Sequence, residues 1–103
     1  MKKNPSRENV LMAVEQLEHP EIAATLGDLG MILDVSVQGN TATVAMALPT
    51  TEIPEVVRNA LIDIMHQPLE KLGLQLKVEF FEMTEEGRNI FFALARANWK
   101  GSI

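Results

Sequence analysis

The chain has 103 residues, 47% of them hydrophobic, with a formal net charge of -5 and no cysteine. Such a length supports one domain, residues 1–103, around a single modest core. The acidic balance argues against nucleic acid and anionic membrane as partners, and the missing cysteine excludes disulfides, thiolate metal ligands and a cysteine nucleophile.

No run of roughly eighteen apolar residues occurs, and the charged start is unlike a secretory signal, so the sequence reads as a cytoplasmic protein without a membrane span. Residues 1–5 read as a loose tail. Ser6 follows as the N-cap of a first helix, with Val10, Leu11, Val14 and Leu17 as its apolar stripe and an end near Glu18, before Pro20. From Pro20 to Gly30 there is too much glycine for a long helix and too much apolar surface for a solvated loop. A short helical turn anchored by Ile22, Leu26 and Leu29 is expected there.

The period then changes to two. Met31, Leu33, Val35 and Val37 alternate with Ile32, Asp34 and Ser36, a strand with one buried face. After a Gln38-Gly39-Asn40 turn, Ala42, Val44, Met46 and Leu48 alternate with Thr41, Thr43, Ala45 and Ala47, so the two runs form a hairpin.

The stretch from Ala47 to Leu72 joins this sheet to a helix. Thr50 and Thr51 suit its cap, Glu52 the positive end of its dipole, and Pro54 its first turn. The helix is expected over about 53–66, with Val57, Leu61, Ile64 and Met65 on one face; Pro68 should kink or restart it and Gly73 stop it. Leu74, Leu76, Val78 and Phe80 then mark a third strand. Thr84-Glu85-Glu86 opens a last helix, with Ile90, Phe91 and Leu94 facing inward and Trp99 near its end.

The order α-β-β-α-β-α predicts an α+β fold, a three-stranded mixed sheet with helices packed on one face. The crossover makes strands two and three parallel and allows the first, antiparallel to both, to lie between them.

Four segments carry a family resemblance: His19-Pro20-Glu21-Ile22, Leu26-Gly27-Asp28-Leu29-Gly30-Met31-Ile32, Asp34-Val35-Ser36-Val37 and Leu48-Pro49-Thr50-Thr51-Glu52-Ile53-Pro54. In order and spacing they resemble the iron-sulfur cluster assembly domain family, which includes PaaD, SufT and the N-terminal domain of Mrp-type ATPases. Its pattern reads Asp-Pro-Glu-Ile, an acidic residue before Leu-Gly-Leu-Val, and Thr-Thr-x-x-Cys-Pro. The resemblance is strongest over residues 7–82, and Met83-Thr84-Glu85-Glu86-Gly87-Arg88 looks like the start of the tail in some members. Two positions depart from it: Ile53 stands where the family has cysteine, and His19 where it has aspartate. A branched alkyl group cannot ligate iron. The resemblance therefore implies the fold but no cluster binding through residue 53, whose side chain is expected to be partly buried.

The family-site residues are Glu21, Asp28, Thr50, Thr51, Glu52 and Ile53. Together they line a polar pocket at the helix start on one reading; on the other, Glu21 and Asp28 cap the short turn while the threonines cap the helix. His19 and His66 share no ligand spacing and read as surface residues, and no catalytic, cofactor-binding or metal-binding set emerges. The resemblance implies a non-enzymatic adaptor in iron-sulfur cluster or metalloprotein assembly. It would act on protein partners, either assembly machinery or a client metalloprotein, and hold no cofactor itself. Two alternatives stand beside it. One is a protein-interaction or regulatory module, compatible with a homodimer, using a second sheet face of Ile32, Thr43, Ala45 and Ala47. The other is a small-ligand-binding protein using the pocket at the Thr50-Thr51 turn.

Overall fold

The computed structural model describes residues 6–50 and 52–100, so the tail expected over residues 1–5 and the cap expected of Thr51 lie outside the described residues. The elements are α1 (Arg7–Glu15), β1 (Ile32–Gln38), β2 (Thr41–Leu48), α2 (Glu55–Lys71), β3 (Gln75–Glu82) and α3 (Glu85–Ala97), an α+β fold around a three-stranded mixed sheet.

Ser6 opens α1 through a reciprocal capping box: its Oγ accepts from the Asn9 N–H at 3.2 Å, and Asn9 Oδ1 accepts from the Ser6 N–H at 3.0 Å. The helix stops at Glu15, three residues short of the expected end, with Val10 and Val14 fully buried. The chain then doubles back. The Leu26 N–H reaches the Leu17 carbonyl at 2.8 Å and the His19 N–H that of Ala24 at 3.0 Å. One helical turn follows, capped by Thr25, whose Oγ1 accepts from the Asp28 N–H at 3.0 Å. The expected turn is thus present only in its second half, anchored as expected by buried Ile22, Leu26 and Leu29. Gly27 suits this close approach, because a Cβ would stand 3.0 Å from the Glu15 carbonyl oxygen, tighter than an ordinary contact.

β1 and β2 pair antiparallel across a two-residue turn in which only Gly39 has positive φ, the pattern of a II′ hairpin. The register slips between Ile32 and Asp34. This bulge sets Ile32 opposite Met46 on the inner face, where it packs on the core, and leaves Leu33 56% exposed. The expected assignment of Leu33 to the buried face and Ile32 to the outer one is therefore reversed.

β3 pairs parallel with β2 along its whole length, giving the order β1-β2-β3. β2, not β1, is the central strand. The crossover through α2 delivers β3 directly beside β2, and β2 is the more thoroughly buried of the two hairpin strands, as a central position requires. Its inner residues Ala42, Val44, Met46 and Leu48 meet Val35 and Val37 on one side and Leu76, Val78 and Phe80 on the other.

α2 begins at Glu55, not 53, with Pro54 at the N-cap position and no side-chain cap. It runs through Pro68 without a break to Lys71, burying Leu61, Met65 and Leu69, with Val57 and Ile64 partly buried beside them. Gly73, at φ +78, closes it in a Schellman motif, the N–H groups of Gly73 and Leu74 bonding the carbonyls of Glu70 and Leu69 at 2.9 Å each. In α3 the inward positions are Phe91, Leu94 and Ala95, whereas Ile90 is exposed, contrary to expectation. Among the described residues no helix is long and apolar enough to cross a membrane.

Candidate functional site

α3 is tied to the body of the protein at both ends. At its start the Met83 N–H bonds the Leu48 carbonyl at 2.8 Å, and Thr84 Oγ1 caps the helix by accepting from the Gly87 N–H at 3.0 Å. One turn on, Arg88 Nε donates to the Pro49 carbonyl at 2.7 Å and Nη2 to that of Met83 at 3.3 Å, with the Glu82 carboxylate 3.7 Å away. This guanidinium fastens the helix to the turn that follows β2. At the other end Ile22 bridges Trp99, the Ala23 N–H bonds the Asn98 carbonyl at 2.7 Å, and the Lys100 N–H bonds that of Glu21 at 2.9 Å. Lys100 Nζ adds an ion pair to Glu18 at 2.5 Å.

Between these attachments α3 spans a groove of about 680 Å³. Met31, Leu48, Ile53, Val57 and Leu61 form one side, and Phe91, Phe92, Ala95 and Trp99 the other. Its polar side chains are His19, Glu21, Thr50 and Arg96.

His19 is 4% exposed, not the surface residue expected. The hairpin-like return of residues 17–26 carries it inward, where its ring meets Phe91 edge-on at 6.4 Å between centroids. Its Nδ1 accepts the Glu21 N–H at 2.9 Å, so the neutral ring carries its proton on Nε2. Burial, and secondarily the positive charge of Lys100, lower its pKa from 6.5 to about 4. His66 does lie on the surface, 3.5 Å from Glu70 one turn along α2.

The structure gathers only part of the expected family-site set. Glu21, Thr50 and Ile53 line the groove, and Ile53 is partly buried against the core, as anticipated. Asp28 is elsewhere, in a shallow surface depression beside Met12, Glu15 and Thr25. Glu52 is exposed; its N–H bonds Thr50 Oγ1 at 3.2 Å, closing a local turn. Thr50 therefore shapes the approach to α2 without capping it, and Thr25 takes the capping duty expected of Glu21 and Asp28. The wall contributed by α3 was not anticipated as part of a site. Its signal is the helical spacing of Phe92, Ala95, Arg96 and Trp99, alongside the inward stripe of Phe91 and Ala95.

The donors present do not fit an iron-sulfur cluster. Such clusters are held by thiolates, with histidine replacing some of them in certain cases, and the chain has no cysteine. Residue 53 offers hydrocarbon, and the Nδ1 of His19 is committed to the backbone. Among the described residues no three His, Cys, Asp or Glu side chains converge as a metal site would require.

Among solved structures, this fold is similar to the crystal structure of a domain of unknown function, DUF59, from Bacillus anthracis. The TM-score is 0.61 at 16% identity, over 86% of this chain and 91% of that one, a likeness of fold. No curated protein matches the chain. The family model for iron-sulfur cluster assembly proteins matches residues 7–71, which runs from α1 to the end of α2 and includes Glu21, Asp28, Thr50 and Ile53. On that match, the chain belongs to the iron-sulfur cluster assembly protein family.

Proposed function

We propose that this protein is an accessory factor in iron-sulfur cluster or metalloprotein assembly, one that works by contact with protein partners and leaves the cluster to them. It is an adaptor and not an enzyme. Membership of the family supports the process. The observation that carries the finer reading is Ile53: at the position where the resemblance places a thiolate, an aliphatic side chain packs on the core and faces an apolar groove. A site adapted to metal would keep donors at its centre, and this one keeps hydrocarbon. The partners on this reading are assembly machinery or a client metalloprotein.

The alternative of a docking surface on the second sheet face is weakened by what that face presents. The bulge exchanges Ile32 for exposed Leu33, and Phe81 is exposed on β3, but Ala47 is buried and the other outer positions of the edge strands are polar: Asp34, Ser36 and Gln38 on β1, and Gln75, Lys77 and Glu79 on β3.

The adaptor reading is tested by placing a photo-cross-linking residue at exposed Glu52, beside the family-site turn, and irradiating in the protein's own cells. Cross-links to proteins that carry or build iron-sulfur clusters are expected, with the cluster remaining on the partner. Cross-links confined to proteins unconnected with metal assembly would contradict it.

A further inference from the structure

Three features of the groove beneath α3 converge on a ligand. Its volume of about 680 Å³ lies within the range of small-molecule sites, roughly 300–1,000 Å³. Its floor is hydrocarbon from Met31, Leu48, Ile53 and Leu61. Into it opens a polar side chain more than nine-tenths buried, His19, whose Nδ1 is occupied and whose Nε2–H has no acceptor among the described residues. Among the described residues no side-chain nitrogen or oxygen is both buried and unpartnered, so this N–H remains reachable and can donate to an oxygen that enters with a ligand.

The other polar groups narrow the class. Arg96 lines the groove and makes no ion pair among the described residues. The Thr50 hydroxyl, accepting from the Glu52 N–H, retains its own proton to donate. These free groups donate, and the single acidic side chain on the lining is Glu21.

The geometry points to a binding site for a small apolar carboxylate, its tail along Met31, Leu48, Ile53 and Leu61, its head accepting from His19 Nε2–H, with Arg96 supplying the opposite charge. This activity goes beyond the assembly role and does not depend on it.

Trp99 is the sole tryptophan and lines the groove, so its emission reads occupancy directly. The test titrates the protein with decanoate and with 1-decanol, a similar hydrocarbon without the charge. Decanoate is expected to bind saturably at one per chain, and more tightly than decanol. His19→Asn keeps a side-chain oxygen for the Glu21 N–H and removes the ε donor, so it should weaken decanoate by about tenfold or more. Arg96→Gln should weaken decanoate and spare decanol, and Glu21→Gln should tighten decanoate by removing like charge. Should His19→Asn fail to fold, Ile53→Phe, which fills the floor, should reduce binding of both probes.

No saturable change in Trp99 emission would overturn the proposal. So would unchanged decanoate affinity in folded His19→Asn, or decanol binding as tightly as decanoate with Arg96→Gln without effect. The assembly reading is judged by cross-linking and by iron and sulfide content, so the two fail independently.

Discussion

His19 shows how one side chain couples local structure to the site. Its Nδ1 closes the loop that brings it inward, and the residue lines the groove. With a pKa near 4 when folded and 6.5 otherwise, it stays neutral in the folded state while the unfolded chain takes up a proton between those values. Its contribution to stability is therefore complete above pH 6.5 and lost as the pH falls through 4. Between pH 7 and pH 5 the wild type should lose about 2 kcal/mol more than His19→Asn in urea unfolding; equal losses would contradict the burial of a neutral imidazole. Gly27 makes a second residue-scale test. The Cβ added in Gly27→Ala meets the Glu15 carbonyl oxygen at 3.0 Å, so the variant should be destabilised by roughly 1–3 kcal/mol, read as a lowered midpoint of thermal unfolding. The partial burial of Ile53 was legible in the sequence, since a branched aliphatic group gains by leaving water. The burial of His19 was not, because it depends on the hydrogen-bonded return of residues 17–26 and on Phe91, distant in sequence.

At the scale of elements, alternation in β2 and β3 and the stripe of α2 were legible because they are local and periodic. The bulge that reverses Ile32 and Leu33 is not periodic; it leaves an odd residue in an otherwise regular pattern. Pro68 misleads for a different reason. It lies one turn from the end of α2, where the packing of Met65 and Leu69 holds the helical path despite the missing N–H. In α3, Ile90 is apolar yet points away, and the groove-lining stripe appears only once the helix is seen fastened at its two ends. Arg88 is the fastening at the first of these. Arg88→Met keeps the side-chain length and removes the bond to the Pro49 carbonyl, so amide hydrogen exchange should quicken in α3 while the protected centre of α2 stays unchanged. Equal exchange in α3 of the two proteins would show that the helix is held without this bond.

For the whole molecule, the α+β class and the parallel pairing of β2 with β3 followed from element order, because a crossover connection forces the second strand's direction. The central position of β2 did not follow from order alone; it reflects how thoroughly that strand is buried between its two neighbours. The fold and the family are those of iron-sulfur cluster assembly proteins, while the centre of the candidate site is apolar. We propose that this chain keeps the scaffold without holding a cluster on it. The most direct measurement is iron and acid-labile sulfide per chain after anaerobic incubation with ferrous iron and sulfide, followed by gel filtration. Neither is expected in stoichiometric amount, and no visible charge-transfer absorption. About one cluster per chain or per dimer, surviving gel filtration with its absorption intact, would contradict it.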